Sequence, residues 1–381
     1  MNLLIHDLCQ SEWEKISADY DGWQIVDARK AGTPCSGCFG CWNRTPGQCV
    51  IKDGYENMGY LIHHADEVHI ISRYAYGGFS SAVKSVIDRC LGYVLPHFEL
   101  VNGETHHKKR YDEDKPITFI FYGQDLNDEQ KAAAERYVRA VCTNMRTHVR
   151  EVIFRKGESL PKPVITDSEY PGEKTVLLNA SMRFAKGNSA KLAEVLREKL
   201  NGETETVNLV RHLNDLDGLI NSLRDAGTLV LCTPLYVDGL PSQLIRLMER
   251  MQEKYEGAPK RVYVLANMGL FEPRQLANLL EAVRQWCAEM GFRYGGALAV
   301  GAGELVGGLL EFRKPENWPL APVGKGLSRL AKAINAHRDT EDIYAGTDGF
   351  PRWLYMAIAN SGWKQMARAN GITNRDLFRR L

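Results

Sequence analysis

The chain has 381 residues, of which 44% are hydrophobic and 25% are charged. This length predicts two domains, and this composition is typical of a globular protein, so a single small module and a disordered chain are both excluded. The 48 Lys and Arg residues and the 47 Asp and Glu residues give a formal net charge of +1. Such a balance offers no basic excess to a nucleic acid or to an anionic membrane, so we expect neither as a partner.

The apolar runs of the chain are short. None approaches the roughly 20 residues that a membrane-spanning helix needs, so no membrane partner is expected from them. The N-terminal run is interrupted by Asp7 and has no basic residues before it, unlike a signal peptide. We therefore expect a cytoplasmic protein, in which the nine Cys residues do not form a disulfide framework.

The first half of the chain alternates strand and helix patterns. Apolar runs of strand length occur at residues 3–5, 23–26, 67–71, 117–121 and 149–154. Helical spacing is found between them, near Glu12 and at residues 55–64, 80–91 and 127–143. This alternation predicts a five-stranded parallel sheet with helices on both faces. The basic segment at residues 106–111 is expected in a loop before the fourth strand.

The second half repeats this plan. Strand patterns lie at residues 176–178, 205–209, 229–231, 262–265 and 297–300. Helical patterns lie at residues 189–200, 242–254 and 273–290. Beyond Gly308 no strand pattern is visible, and residues 325–336 and 353–369 are predicted helices that pack on the second domain or on the seam.

A sequence motif shared by the two halves indicates an internal duplication. Residues 76–81, Tyr-Gly-Gly-Phe-Ser-Ser, precede Asp88-Arg89, and residues 236–242, Tyr-Val-Asp-Gly-Leu-Pro-Ser, precede Glu249-Arg250. The offset is about 160 residues. We predict a first domain at 1–155, a linker at 156–173, a second domain at 174–308 and a helical C-terminal extension at 309–381.

The turn after the first strand of the second domain has the composition of an anion site. It runs from Asn179 to Ser189 and opens directly into a helix, where backbone N–H groups and the helix dipole favour an anion. Ser181, Asn188 and Ser189 add donors. The turn lacks the glycine patterns of a P-loop and of a dinucleotide-binding fold, so an FMN phosphate suits it better than a triphosphate. A plain polar turn with Ser189 as helix N-cap is the alternative.

Two further turns follow strands that end at the same edge of the predicted sheet. The first is Cys-Thr-Pro-Leu-Tyr-Val-Asp-Gly at residues 232–239, and the second is Asn-Met-Gly at residues 267–269. Ligands of open α/β sheets bind at this edge, so the first turn is placed to pass along a flavin ring.

Together the three turns resemble those of the flavodoxin-like NAD(P)H-dependent FMN reductases and the related iron–sulfur flavoproteins. The resemblance implies two flavodoxin-like, doubly wound, five-stranded parallel sheets in tandem. It implies FMN as cofactor and NAD(P)H as reductant. It assigns the FMN phosphate to Ser181, Arg183, Asn188 and Ser189, and the flavin ring to Pro234, Leu235, Tyr236, Asn267 and Gly269.

The first domain departs from this pattern, because Asp7 and Glu12 stand where a phosphate would be repelled. We therefore expect one FMN per chain, held mainly by the second domain. Tyr76, Gly77 and Gly78 are predicted to serve the other side of the same site. The tandem would then form an intramolecular pseudo-dimer with one working flavin, and a further homo-oligomer is compatible with it.

Four cysteines form the sharpest local motif, Cys35-x2-Cys38-x2-Cys41-x7-Cys49. Four thiolates within fifteen residues can close around one metal centre, and the spacing suits a [4Fe–4S] cluster, with zinc as a second option. This Cys-rich segment resembles the motif of iron–sulfur flavoproteins. FMN reductases that lack a cluster resemble it too, with a similar motif that is matched here by Trp42 and Gly47. A loop of metal-free thiols is therefore the third interpretation.

These features predict an FMN-dependent oxidoreductase that takes hydride from NAD(P)H and reduces a small molecule or a redox protein. A non-enzymatic electron carrier of the flavodoxin or iron–sulfur flavoprotein type is the alternative. No catalytic acid, base or nucleophile is predicted, because the cofactor carries the chemistry. The identity of the acceptor and the choice of NADH or NADPH do not follow from the sequence.

Overall fold

The protein divides into two compact units in the computed structural model, which describes residues 1–166, 174–347 and 349–381. The first unit comprises residues 1–159 and 356–381, and the second comprises residues 160–355. The last seven residues of the predicted linker, 167–173, lie outside the described residues.

A parallel sheet forms the centre of the first unit. Its strands are β1 (Leu3–His6), β2 (Gln24–Asp27), β3 (Val68–Ala75) with the short antiparallel β4 (Gly78–Phe79), then β5 (Val94–Val101), β6 (Glu104–Lys109), β7 (Pro116–Gly123) and β8 (His148–Lys156). The parallel strands follow the order β2-β1-β3-β7-β8, which is the flavodoxin-like order, while β5 and β6 form a separate hairpin.

Helices cover this sheet. They are α1 (Gln10–Ile16), α2 (Gly40–Asn43), α3 (Met58–His64), α4 (Ser81–Ile87) and α5 (Asp128–Met145). α5 begins with a capping box in which Asn127 and Gln130 exchange side-chain to backbone hydrogen bonds. One part of the core joins Leu4, Ile71 and Ile120, which come from three adjacent strands.

The second unit contains a second parallel sheet. Its strands are the short pair β9 (Val164–Ile165) and β13 (Glu256–Gly257), and the sheet strands β10 (Thr175–Asn179), β11 (Thr204–Asn208), β12 (Thr228–Pro234), β14 (Arg261–Asn267), β15 (Arg293–Val300) and β16 (Ile343–Ala345). The order is β11-β10-β12-β14-β15-β16, with all neighbours parallel. β10 is buried along its whole length, as expected for a central strand with helices on both faces.

The helices of the second unit present regularly spaced apolar residues to this sheet. They are α6 (Asn188–Arg197), α7 (Leu216–Ser222), α8 (Ser242–Lys254), α9 (Ala277–Met290), α10 (Gly303–Leu309) and α11 (Ala321–Asn335). In α11 the buried residues Val323, Leu327, Leu330 and Ile334 recur at helical spacing and join the core of the sheet. α9 ends at Gly291, whose φ of +63° is the left-handed conformation of a helix stop.

The C-terminal region contributes to both units. α12 (Arg352–Ala369) spans the division between them, and α13 (Asn374–Leu377) belongs to the first unit. Within the first unit, the buried Arg110 donates to the carbonyls of Leu377 and Arg379 at 3.0 and 2.7 Å. The end of the chain is thus a structural part of the first unit.

The predicted fold class of two flavodoxin-like parallel sheets in tandem is confirmed, with two additions. The basic segment at residues 106–111, which was expected in a loop, lies mainly in strand β6. The region beyond Gly308, where no strand was expected, supplies β16, so the second sheet has six parallel strands. No helix among the described residues is long and apolar enough to cross a membrane.

Candidate functional site

Three loops of the second unit leave adjacent strands at one edge of the sheet. They follow β10, β12 and β14, which are neighbours in the sheet and run in the same direction. β11 lies on one side of β10, and β12 lies on the other side. The connections that leave β10 and β11 therefore cross the sheet in opposite directions, and the switch point of the topology lies between β10 and β12. In open α/β sheets this edge and this switch point are where ligands bind.

The loop after β10 ends in a helix whose first turn is open to an anion. Gly187 is the N-cap residue of α6, and among the described residues no side chain caps this helix. The backbone N–H groups of Asn188 and Ser189 belong to its first turn, where no carbonyl of the helix can accept from them. These N–H groups and the helix dipole together make a site for a phosphate. Ser189 is therefore inside the helix and is not its N-cap, which was the alternative drawn from the sequence.

Ser181 and Arg183 hold the shape of this loop. The buried Ser181 hydroxyl accepts from the Arg183 N–H at 3.3 Å, and the Ser181 N–H donates to Asn179 Oδ1 at 3.1 Å. Gly187 must lack a side chain, because a Cβ there would lie 2.4 Å from Ser181 Oγ. The Arg183 guanidinium pairs with Glu304 of α10 at 3.2 Å.

Asn267 connects the three loops. Its side-chain Nδ2 donates to Ser189 Oγ at 2.6 Å and to the carbonyl of Thr233 at 3.4 Å. Its own carbonyl accepts from the Leu235 N–H at 2.9 Å. Asn267 is buried, so these bonds are shielded from water. The predicted phosphate loop and both predicted ring loops therefore meet at this residue.

The loop after β12 presents a partly exposed apolar surface. Pro234, Leu235 and Tyr236 are each partly exposed, and Tyr236 and Gly239 exchange backbone hydrogen bonds of 3.0 Å across a tight turn. The turn residues Val237 and Asp238 both have positive φ, +38° and +59°. A β-branched residue in this conformation is strained, and such strain is most common at functional sites.

The loop after β14 leaves open space beside Gly269. Apart from Gly269 itself and its two chain neighbours, no atom of the described residues lies within 4 Å of the position that a Cβ of Gly269 would occupy. The Gly269 carbonyl accepts from the hydroxyl of Tyr355, whose ring lies 5.5 Å from that of Phe271. Burial raises the pKa of Tyr355, so the hydroxyl stays protonated and remains a donor to this loop.

Sequence reasoning missed two residues of this edge: Gln243 and Glu304. Gln243 is only 2% exposed and donates from Nε2 to the Ala180 carbonyl at 3.1 Å, while its Oε1 finds no partner among the described residues. A Gln in the first turn of a helix at the carboxyl edge was a usable signal for Gln243. Glu304 is far from the motifs in sequence and gave no such signal.

The matching edge of the first unit holds a buried carboxylate. Asp7 follows β1, and its carboxyl oxygens accept from the Arg73 N–H at 3.0 and 3.2 Å, from the Tyr122 hydroxyl at 3.1 Å and from the Ser80 hydroxyl. Burial raises the pKa of Asp7 to about 6. Three hydrogen-bond donors at this edge are thus used by the protein itself.

Glu12 caps the helix that follows. Its carboxylate accepts from the N–H of the N-cap residue Cys9 at 3.3 Å, at the N-terminus of α1. In the second unit the N-cap residue of α6, Gly187, donates its N–H to the Phe184 carbonyl, and among the described residues no side chain caps that helix. The two units therefore share a fold but differ in the chemistry of their equivalent loops.

Tyr76 and Gly77 form the tight turn between β3 and β4, and Gly78 is the first residue of β4. Ala75 pairs with Gly78 there as Tyr236 pairs with Gly239 in the second unit, so the structural offset between the halves is 161 residues at this point. Tyr76 is buried and has a φ of +51°, and a Cβ on Gly78 would lie 3.0 Å from the Tyr137 ring. That these three residues serve a flavin stays a prediction.

The cysteine loop is anchored by aromatic packing. Trp42 donates from Nε1 to the carbonyls of Leu91 and Val94, both at 3.0 Å, and its ring stacks on Phe39 with centroids 5.5 Å apart. Trp363 of α12 meets the Trp42 ring edge-on at 5.1 Å. Trp42 therefore has a packing role that does not depend on a metal.

The four thiols differ in their exposure to water. Burial raises the pKa of Cys35 to about 12 and that of Cys41 well above its usual value, so both thiols are protonated in the absence of a metal. Cys38 is exposed and Cys49 is buried. Among the described residues no group of three or more His, Cys, Asp or Glu side chains is arranged to hold a metal ion. The predicted iron–sulfur centre gains no support from these residues.

Comparisons with known proteins were made for the whole chain. No family model and no curated protein matches it. Solved structures similar to part of it include the Trp repressor binding protein from Bacillus subtilis, with 19% identity, 37% of this chain and 98% of that chain covered, and a TM-score of 0.29.

Two azoreductases show a likeness of the same extent. The azoreductase from Bacillus anthracis str. Sterne has 14% identity, covers 43% of this chain and 99% of its own, and has a TM-score of 0.33. The FMN-dependent NADH-azoreductase from Bacillus anthracis str. Ames Ancestor, in complex with FMN, has 14% identity, covers 52% and 97%, and has a TM-score of 0.24.

Proposed function

We propose that the second unit binds FMN at the carboxyl edge of its sheet, and that the protein is an FMN-dependent oxidoreductase that takes hydride from NAD(P)H. The single observation that carries this proposal is the open first turn of α6, which Asn267 joins directly to the apolar loop after β12. A phosphate site and an apolar platform are thereby held next to each other, as a phosphorylated ring cofactor requires.

The phosphate would be held by groups of the α6 N-terminus. The backbone N–H groups of Asn188 and Ser189 provide donors, and the helix dipole adds a favourable potential. Ser181 keeps the loop close to Gly187, which leaves the helix end uncovered. Arg183 supplies a guanidinium at the same loop, and a phosphate is a stronger acceptor for it than a solvent-exposed carboxylate.

The ring would lie against the loop after β12. Pro234, Leu235 and Tyr236 offer apolar surface, and open space lies beside the Cα of Gly269. When bound, FMN supplies the hydride chemistry itself. The chain positions the ring and excludes water, which accounts for an edge built from amides, hydroxyls and apolar groups.

The first unit is proposed to bind no FMN. The Asp7 carboxylate uses the donors at the matching edge, and Glu12 uses the end of the following helix. A phosphate brought to this edge would meet two carboxyl groups in place of donors. The expected stoichiometry is therefore one FMN per chain, and the proposed arrangement is a pseudo-dimer with one working flavin.

We expect the cysteine loop to be a structural element without a metal. The loop is fixed by the hydrogen bonds of Trp42 and by the packing of Gly47 beside Leu381, and among the described residues no group of three or more His, Cys, Asp or Glu side chains is arranged to hold a metal ion. Electron transfer between a flavin and a cluster is accordingly not part of the proposed reaction.

Enzymatic reduction separates this proposal from the alternative of an electron carrier. The FMN-loaded protein is mixed anaerobically with NADH or NADPH in a stopped-flow instrument, and the flavin absorbance is followed. We expect at least one of the two nucleotides to bleach the flavin within seconds. A flavin that stays oxidised with both nucleotides but is reduced by dithionite would favour the carrier. The acceptor, a small molecule or a redox protein, is then sought by the reoxidation rate.

A further inference from the structure

The predicted phosphate-binding arginine is paired with a carboxylate. Arg183 Nη1 lies 3.2 Å from Glu304 Oε1, and the two side chains are 36% and 49% exposed. Arg183 belongs to the loop after β10, whereas Glu304 lies in the first turn of α10, 121 residues further along the chain. The pair therefore joins the phosphate loop to an element that the sequence motifs do not include.

Close packing through glycine holds α10 against the site. A Cβ on Gly303 would lie 2.9 Å from the Met268 carbonyl, and a Cβ on Gly307 would lie 2.0 Å from Asn188 Oδ1. The first contact is with the loop after β14 and the second is with the first residue of α6. No larger residue fits at either position, so Glu304 is carried on a helix that is tightly seated between two of the three loops.

A second set of contacts fixes the other end of α10. Lys191 of α6 donates to the Gly307 carbonyl at 3.0 Å and pairs with Glu311 at 2.5 Å. The position of Glu304 thus follows from its helix, and the ion pair with Arg183 is not the only contact that keeps the carboxylate near the loop.

The carboxylate and a phosphate would need the same guanidinium. Both accept charge-assisted hydrogen bonds from arginine, and two anions held a few ångströms apart repel each other. A phosphate arriving at the α6 N-terminus must either displace Glu304 from Arg183 or bind with that charge beside it. In both cases the affinity for a phosphorylated ligand falls, while the affinity for its unphosphorylated form is unaffected.

We infer that Glu304 is a specificity-determining residue that competes with the ligand phosphate for Arg183 and so lowers the preference of the site for FMN over riboflavin. The inference rests on the proposed function, because it takes the edge of the second unit to be a flavin site. Its consequence is a flavin that exchanges with solution more readily than the donor set alone would allow.

The test compares the affinities of FMN and riboflavin before and after one substitution. The Glu304→Gln variant of the full chain is titrated with FMN and with riboflavin, and binding is followed by quenching of flavin fluorescence. We expect FMN to bind about 3- to 10-fold more tightly than to the unmodified protein, as for the loss of a partly exposed charge near a phosphate. Riboflavin should bind within twofold of its original affinity.

A matched control removes the same charge elsewhere on the unit. Glu316→Gln breaks the ion pair with Lys199, which is 3.1 Å long in the structure, and should leave FMN affinity within twofold. Thermal unfolding of each variant checks that the second unit is intact, and Glu304→Ala is a second variant if Glu304→Gln is unstable.

A double-mutant cycle decides whether Glu304 acts through Arg183. In an Arg183→Ala background the gain from Glu304→Gln should fall below twofold. An equal gain in both backgrounds, or no gain in the original background, would overturn the inference. If the unmodified protein binds neither flavin, the proposed function fails and this inference fails with it. FMN binding that does not respond to Glu304→Gln overturns the inference alone.

Discussion

Asn267 Nδ2 donates to Ser189 Oγ over 2.6 Å, which ties the loop after β14 to the helix that follows β10. This hydrogen bond places Asn267 at the centre of the candidate site, so a substitution of Asn267 perturbs the site directly.

Replacing Asn267 by Ala should weaken both the fold and the site. The change leaves the buried Ser189 hydroxyl and the Thr233 carbonyl without this donor, so the free energy of unfolding should fall by about 1 to 3 kcal/mol. FMN affinity should fall by roughly tenfold, because the phosphate and ring loops lose their common anchor. Chemical unfolding and fluorescence titration measure the two effects. Unchanged FMN affinity would show that Asn267 does not organise the site.

Arg183 provides a second test of the phosphate assignment. The Arg183→Ala variant should lose about 1.5 to 3 kcal/mol of FMN binding, the range for hydrogen bonds to charged groups. Arg197→Ala is a matched control, since Arg197 pairs with Glu194 on the exposed face of the same unit. Equal FMN affinities for the two variants would remove Arg183 from the site.

Asp88, which follows the motif shared by the two halves, is not a suitable control for these variants. Its carboxylate is buried and pairs with the equally buried Lys84, one helical turn earlier. Removing one partner would leave an uncompensated charge in the interior and destabilise the first unit. A loss of FMN binding in an Asp88 variant would therefore not identify a ligand residue.

The raised pKa of Asp7 predicts a pH dependence of stability. A carboxyl whose pKa is about 6 in the folded protein and about 3.9 in the unfolded chain holds its proton more tightly when folded. The stability that this proton contributes is complete below about pH 4 and is lost as the pH rises to about 6. The free energy of unfolding of the first unit should fall by roughly 3 kcal/mol across this window on account of Asp7.

The Asp7→Asn variant tests this dependence. Asparagine keeps an oxygen that can accept from the Arg73 N–H but does not titrate. Unfolding by urea at several pH values should show a smaller decline between pH 4 and pH 6 for the variant than for the unmodified protein. Parallel pH profiles for the two proteins would contradict the role of burial at Asp7.

Metal analysis of protein prepared anaerobically tests the assignment of the cysteine loop. We expect neither iron nor zinc in stoichiometric amounts, and we expect Cys41→Ser to retain NAD(P)H oxidation, because the hydrogen bonds and ring contacts of Trp42 hold the loop without a metal. About four Fe and four sulfide per chain, with a broad absorbance shoulder near 400 nm, would identify a [4Fe–4S] centre and contradict this account.

The parts of the fold that could be predicted from sequence are those with a strong local pattern. β10 is an apolar run between polar segments, and Asn188-Ser189 follows it after one short loop. The sequence pattern therefore predicts both the strand and the candidate phosphate loop. The β5–β6 hairpin was missed because Pro96 interrupts its first strand and β6 is a run of polar residues without alternation. β16 has only three residues and owes its conformation to pairing with β15.

The parts of the site that were missed depend on tertiary structure. Glu304 reaches Arg183 because β15 ends at the same edge as β10, a relationship that no local motif encodes. Gln243 acquires its role from the packing of α8 on the Ala180 carbonyl. The placement of the C-terminal residues on the first unit likewise depends on long-range contacts such as those of Arg110.

Titration of the full chain with FMN and with riboflavin tests the central claim most directly. The account predicts one equivalent of FMN per chain, with riboflavin bound at least tenfold more weakly because it lacks the phosphate that the α6 N-terminus would hold. Two equivalents of FMN would contradict the role of Asp7 and Glu12 in closing the first unit. Equal affinities for FMN and riboflavin would contradict the phosphate site itself.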